Sequence, residues 1–265
     1  MTIITAALIL GALGLLFGLL LTLTSRIFAV PANPTRDAVR GELPGANCGA
    51  CGFPGCDGCA EAIACGKAPV NACPVAGAEA GAKIAAIMGV APVAAADRKV
   101  ARIICQGPAE TCKSKFDYTG IQDCVAASVV NDGFKSCKFA CLGLGTCVKA
   151  CQFDAIKIDP VKKIAVVDQE KCTGCGQCAA ECPKSVIEMR SVKESILVLC
   201  HNTGKGKPVV DACKTGCFAC GICERICPAD AITMVNNLPK IDYSKCVLCG
   251  ACITNCPKDV IQGDE

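Results

Sequence analysis

The residues whose type and spacing could do chemistry are the cysteines, 27 of them in 265 residues. Three runs share the spacing Cys-x2-Cys-x2-Cys-x3-Cys-Pro. They are Cys172, Cys175, Cys178 and Cys182 before Pro183; Cys217, Cys220, Cys223 and Cys227 before Pro228; and Cys246, Cys249, Cys252 and Cys256 before Pro257. Three thiolates this close in sequence can hold three irons of one [4Fe–4S] cube, while the fourth is carried away by a short helix to a partner cube. Proline after the fourth cysteine ends that connection in an extended form. A structural zinc site needs only two Cys-x2-Cys pairs and no trailing Cys-Pro, so the pattern favours clusters. A chain of this length can bury a core without disulfide staples, and closely spaced thiols suit a shared cofactor better than long-range bridges.

Exchange of the fourth ligand assigns Cys217, Cys220, Cys223 and Cys256 to one cluster, and Cys246, Cys249, Cys252 and Cys227 to another. Upstream, Cys172, Cys175, Cys178 and Cys151 form a third set. A fourth needs Cys182, Cys141 and Cys147, plus a replacement for the thiol missing at Leu144, which stands where the later copy has Cys220. Cys137 is the nearest candidate, giving Cys-x3-Cys-x5-Cys-x3-Cys, with Cys124 and Cys112 as competitors. Gln152 replaces the proline after Cys151 and leaves the thiolate in place. Nearer the N-terminus, NCGACGFPGC brings Cys48, Cys51 and Cys56 together, and Cys73 follows before Pro74, a fifth set. Cys59 and Cys65 fall on the helical pattern CAEAIAC and read as packing residues. Five clusters leave those two together with Cys105, Cys112, Cys124, Cys200 and Cys213. Cys105, Cys112 and Cys124 are the candidates for a sixth cluster. A structural role is favoured for both Cys105 and its counterpart Cys200, because Cys200 lies in a copy without the insertion cysteines.

The elements that must position these thiols follow a tandem repeat. VARIICQG (100–107) parallels SILVLCHN (195–202), and SCKFACLGLGTCVKACQFDAIKI parallels ACKTGCFACGICERICPADAITM. KCTGCGQCAAECPKSVIEM then parallels KCVLCGACITNCPKDVIQG. Each copy places two half-motifs around a short β-type segment, so the expected fold class is α+β, with two tandem ferredoxin-like units. The first spans 100–194 with an insertion at 107–135, and the second spans 195–265. Residues 47–90 are expected to form a small four-cysteine [4Fe–4S] domain, and the Pro- and Gly-rich stretch 27–46 a linker. Residues 1–26 open with 25 uncharged residues before Arg26. At about 1.5 Å per residue such a helix spans the roughly 30 Å hydrocarbon layer. It has no basic leader and outlasts a signal-peptide apolar region, so it reads as a transmembrane anchor. Arg26, Arg36 and Arg40 follow the span and no basic residue precedes it, which puts the cluster domains on the cytoplasmic side of the cell membrane.

Other chemistries are poorly supported. The net charge of +3, with no basic run interleaved with aromatics, argues against nucleic acid. His201 is the single histidine, so a two-histidine Rieske site is excluded. GLGTC (143–147) is no dinucleotide fingerprint, and no serine, histidine and acid arrangement points to hydrolysis. No catalytic residue is expected.

The anchor, the LPGANCGACGFPGC segment and the two repeats together resemble the B subunits of Rnf complexes, over essentially the whole chain. The 48–73 unit is also similar to the four-cysteine domain of corrinoid iron–sulfur proteins. The resemblance implies an electron-transfer subunit of an ion-translocating ferredoxin:NAD oxidoreductase, a translocase in which this chain itself is an electron carrier. It implies reduced ferredoxin or flavodoxin as donor, and the membrane and flavin-bearing subunits of the complex as acceptors. A polyferredoxin subunit of another membrane oxidoreductase is the alternative, and a non-redox cluster carrier a third reading.

Overall fold

The computed structural model describes residues 2–28, 33–93 and 97–263. The uncharged N-terminal run forms α1 (Thr2–Ile27), and its described side chains are exposed throughout. This helix is long and apolar enough to cross a membrane. Its polar side chains do not spoil that: Thr22 donates to the carbonyls of Gly18 and Leu19, and Thr24 to those of Leu20 and Leu21. Such back-bonding satisfies hydroxyls inside the helix itself.

The stretch expected as a linker holds α2 (Pro34–Glu42) instead; residues 29–32 of it lie outside the described residues. Asn33 caps this helix by accepting from the backbone N–H groups of Thr35 and Arg36 at 3.1 and 3.2 Å. Pro34 takes the first helical position, where a missing N–H costs nothing. Val39 and Leu43, four residues apart, are buried against α3 (Gly55–Ala64) and α4 (Gly77–Met88), where they join Cys59, Ile63 and Ile84. Two apolar residues suffice to dock a helix this short, which is why composition alone read as a linker. Cys59 is buried in this core; Cys65 is exposed beside Glu61 and packs nothing, unlike the packing role expected for it.

Beyond residue 97 each repeat uses the same four-strand plan. The first holds β1 (Lys99–Ile103), β2 (Ile156–Ile158), β3 (Ala165–Val167) and β4 (Ile187–Ser191). The second holds β5 (Ile196–Val198), β6 (Ile232–Val235), β7 (Leu238–Ile241) and β8 (Ile261–Gly263). All pairings are antiparallel: the outer strands close on each other, β1 with β4 and β5 with β8, while β2–β3 and β6–β7 are hairpins. Between strands run α5 (Cys124–Val129), α6 (Thr146–Lys149), α7 (Gln177–Ala180), α8 (Lys207–Ala212), α9 (Ile222–Arg225) and α10 (Ala251–Thr254). The cores are aliphatic residues mixed with thiols: Val100, Ile156, Val186 and Ile187 around Cys141, Cys147, Cys172 and Cys178 in one, and Ile196, Ile232, Ile241 and Ile261 around Cys252 in the other.

Candidate iron–sulfur cluster sites

Each cysteine triplet is shaped by its own loop. The helices α6, α7, α9 and α10 all start after a glycine in the left-handed region (Gly145, Gly176, Gly221 and Gly250), and each carries the third cysteine of its run on its first turn. Two residues earlier the backbone is left-handed again, at Gly143, Gly174, Ala219 and Leu248. Glycine stands there in the first repeat because the carbonyls of Lys163 and Lys99 approach where a Cβ of Gly143 or Gly174 would lie. The second repeat accepts Ala219 and Leu248 at the equivalent positions.

The structure gathers the thiols in sets. One cavity is lined by Cys227, Cys246, Cys249 and Cys252, and another by Cys217, Cys220, Cys223 and Cys256. In each, three thiols come from one loop and the fourth from the other half of the repeat. The backbone N–H groups of Ala231 and Val260 donate to the sulfurs of Cys227 and Cys256, both at 3.3 Å. In the first repeat Cys178 has Cys172, Cys175 and Cys151 as neighbours, and the Ala101 N–H donates to the Cys172 sulfur at 3.4 Å. Near the N-terminus Cys51, Cys56 and Cys73 converge around the buried Cys59. Cys48 directly precedes the Gly49–Gly52 turn that carries Cys51, and its carbonyl accepts from the Gln177 amide beside Cys178, joining this domain to the first repeat.

The remaining set departs from expectation. Cys141, Cys147 and Cys182 line a cavity together with Cys124, not Cys137. The insertion delivers Cys124 as the first residue of α5, whose N-cap Asp123 accepts from the N–H groups of Val125 and Ala126. Thr146 fastens this end to the triplet loop, accepting the Cys124 N–H at 2.7 Å and donating its hydroxyl to Asp123 Oδ2 at 2.8 Å. Leu144, which replaces the missing thiol, packs against Cys124, Ala127 and Leu142 as apolar filling. Cys137 instead lies with Cys105, Cys112, Cys200 and Cys213. The trio Cys105, Cys112 and Cys124 is therefore split between two places. The available signal for Cys124 was the capped helix start Asp123-Cys124 within an insertion that the second repeat lacks.

Burial governs the protonation of these thiols. It pushes Cys147 up to about 12, with Cys141, Cys124 and Cys182 adding to the rise. Burial likewise lifts Cys141, Cys178, Cys217 and Cys223 to about 11. Four such groups cannot all ionise around one cavity unless a cationic group neutralises them. Convergent thiols, backbone N–H donors to sulfur and dry apolar walls fit a thiolate-ligated [4Fe–4S] group, which supplies one-electron redox chemistry when bound.

Cysteine sets closed by a thiol from the opposite half of the repeat, carried on paired hairpins, define a protein of the 4Fe–4S dicluster class. A family model described as a 4Fe-4S dicluster domain matches residues 136–186 and again 216–260, and a model for an Fe-S cluster domain matches residues 43–75. The chain is 46% identical over 258 residues to the B subunit of the Na(+)-translocating ferredoxin:NAD(+) oxidoreductase complex of Acetobacterium woodii, covering 97% of this chain and 76% of that one. It is 42% identical to the B subunit of the ion-translocating oxidoreductase complex of Methanosarcina acetivorans, covering 92% of each. Identity is 38% to the B subunit of the proton-translocating ferredoxin:NAD(+) oxidoreductase complex of Clostridium ljungdahlii, covering 92% of this chain and 86% of that one. The chain belongs to the family formed by the B subunits of Rnf-type ion-translocating oxidoreductase complexes.

Proposed function

We propose that this chain is the electron-input wire of a membrane-bound, ion-translocating ferredoxin:NAD oxidoreductase. It receives electrons from reduced ferredoxin on the cytoplasmic side and delivers them to the other subunits of the complex. The observation that carries this reading is the sorting of thiols into sets, each built from two separate segments, in a family whose relatives are named for ferredoxin:NAD oxidoreduction. Five [4Fe–4S] ligand sets follow: Cys48, Cys51, Cys56 and Cys73; Cys151, Cys172, Cys175 and Cys178; Cys124, Cys141, Cys147 and Cys182; Cys217, Cys220, Cys223 and Cys256; and Cys227, Cys246, Cys249 and Cys252.

The protein's own residues contribute binding and tuning. The N–H groups of Ala101, Ala231 and Val260 stabilise negative charge on ligand sulfurs, and the aliphatic walls exclude water. The helix α1 supports membrane attachment, and Arg26, Arg36 and Arg40 support a cytoplasmic placement of the cluster domains beyond it. In membranes whose complex carries Cys220→Ala, NAD reduction driven by reduced ferredoxin should fall at least tenfold. NADH oxidation by an artificial acceptor at the flavin subunits should persist. Unchanged ferredoxin-driven NAD reduction would remove the wire from the reaction and favour a carrier of another kind.

A further inference from the structure

Five thiols outside the sets above meet where the two repeats join. Cys105 ends the strand segment after β1 and Cys200 ends the one after β5, so they are equivalent positions. Cys137 and Cys213 are equivalent too, each four residues before the first cysteine of its loop. All four line one cavity between the repeats, with Phe139 and Asn202. The equivalence extends to hydrogen bonds: the Cys141 N–H donates to the Cys105 sulfur, and the Cys217 N–H to the Cys200 sulfur, both at 3.4 Å. The amide of buried Asn202 donates to the Cys137 sulfur at 3.5 Å. Backbone and amide donors converging on sulfur are what a ligated thiolate requires, and a neutral packing thiol needs none.

The fifth thiol, Cys112, is buried in one cluster with Cys137 and Cys213 but does not line the cavity. A thiol outside the lining cannot reach an iron of a cube seated in the cavity, so Cys112 is not a ligand. The repeat agrees, since Cys213 has an equivalent in Cys137 and Cys112 has none. Beside the cavity, Lys135 is buried at 3% exposure, its ammonium 3.5 Å from the carbonyl of Gly107. A Cβ on Gly107 would lie 3.1 Å from the Cys213 sulfur, so that residue is packed directly on the thiol group. A buried ammonium with so long a contact needs an anionic neighbour, and a cube with four thiolates carries net negative charge.

We propose that Cys105, Cys137, Cys200 and Cys213 hold a further [4Fe–4S] cluster between the two repeats, with Cys112 packed beside Cys213 outside the ligand set. The site is held rigidly. Gln106 N–H donates to Leu199 O, the Gln106 amide donates to the carbonyls of Thr215 and Lys258, and Lys214 N–H donates to Thr111 O. Through the N–H groups of Cys141 and Cys217 it touches one ligand of a cluster set in each repeat. That position suits it to pass electrons between the two diclusters. This inference rests on reading the chain as an iron–sulfur protein, and the test separates the two.

The test is iron, sulfide and zinc analysis, with quantitative EPR of the reduced state, on the anaerobically purified full-length chain. The unsubstituted chain should hold roughly 24 irons, six cubes of four, and no zinc. Cys200→Ala should lower this to roughly 20 and remove one EPR-active centre while the others keep their signals. Cys112→Ala should keep roughly 24 irons and all EPR-active centres, because that thiol lies outside the cavity lining. Roughly 20 irons in the unsubstituted chain would overturn the proposal whether or not any variant folds. One equivalent of zinc, a Cys112–Cys213 disulfide in the anaerobic protein, or loss of four irons in Cys112→Ala would do the same. A chain with almost no iron would instead overturn the underlying iron–sulfur reading.

Discussion

The clip at Thr146 makes the role of Cys124 measurable without touching a thiol. Its hydroxyl accepts the buried Cys124 N–H and donates to the Asp123 carboxylate, and the side chain itself is almost fully buried. Thr146→Val preserves shape but leaves that N–H unpaired, which costs about 1–3 kcal/mol, and removes a bond to a charged group worth about 1.5–3 kcal/mol. Bonds sharing one hydroxyl do not add in full, so about 3 kcal/mol is the working value. At 1.4 kcal/mol per factor of ten, the end of α5 should open on the order of 100-fold more often. Chelator-driven iron release from the full chain under anaerobic conditions reads this directly. Thr146→Val should show a fast phase of roughly four irons, the content of one cube, with the rest released at the native rate. Thr146→Ser keeps the hydroxyl and should lack the fast phase. If Thr146→Val releases iron in a single native-like phase, α5 does not deliver a ligand and the assignment of Cys124 is wrong.

Four further outcomes can be checked. Gly143→Ala and Gly174→Ala should each lower thermal stability by about 2 kcal/mol or more, since a Cβ meets a backbone carbonyl in a left-handed conformation. Gly176→Ala, with open space around it, should cost only about 1 kcal/mol by the same thermal melt. Lys135→Met should make the centre at Cys141 harder to reduce, because a buried positive charge near that sulfur is lost; an EPR redox titration showing no shift, or an upward one, contradicts this. Gln177→Leu breaks the contact to the Cys48 carbonyl and should speed amide hydrogen exchange across residues 48–56, without loss of iron. A chain lacking residues 2–28 should remain in the supernatant after ultracentrifugation and keep its full iron content, since α1 contains no cysteine and all of its described side chains are exposed.

Much of this protein was legible in the amino-acid sequence because its ligand loops are local objects. A Cys-x2-Cys-x2-Cys run needs only a left-handed residue, a glycine and one helical turn to aim its thiols at a common point. Gly174, Gly176 and Cys178 show all three in seven consecutive residues, Cys172 to Cys178. The same locality made α1 plain, since twenty apolar residues need no partner to be helical in lipid. The repeat then supplied the exchange of fourth ligands, because each Cys-Pro had an equivalent with a defined place.

Contacts made across long stretches of chain were a different matter. Leu144 showed that a thiol was missing, but proximity in sequence favoured Cys137, and the capped helix start at Asp123-Cys124 does not by itself say where that helix docks. That choice depends on how the insertion folds back: Asp123 caps α5, and Thr146, 22 residues on from Cys124, ties it to the loop. The meeting of Cys105 and Cys137 with Cys200 and Cys213 likewise exists only once the two repeats are docked. The helix at Pro34–Glu42 was hidden for a related reason, as its two anchoring residues gain their burial from α3 and α4. Spacing decides which thiols can share a cube when the chain between them is too short to do anything else. Across longer stretches the entropy of loop closure is nearly indifferent to which cysteine arrives, and packing makes the choice.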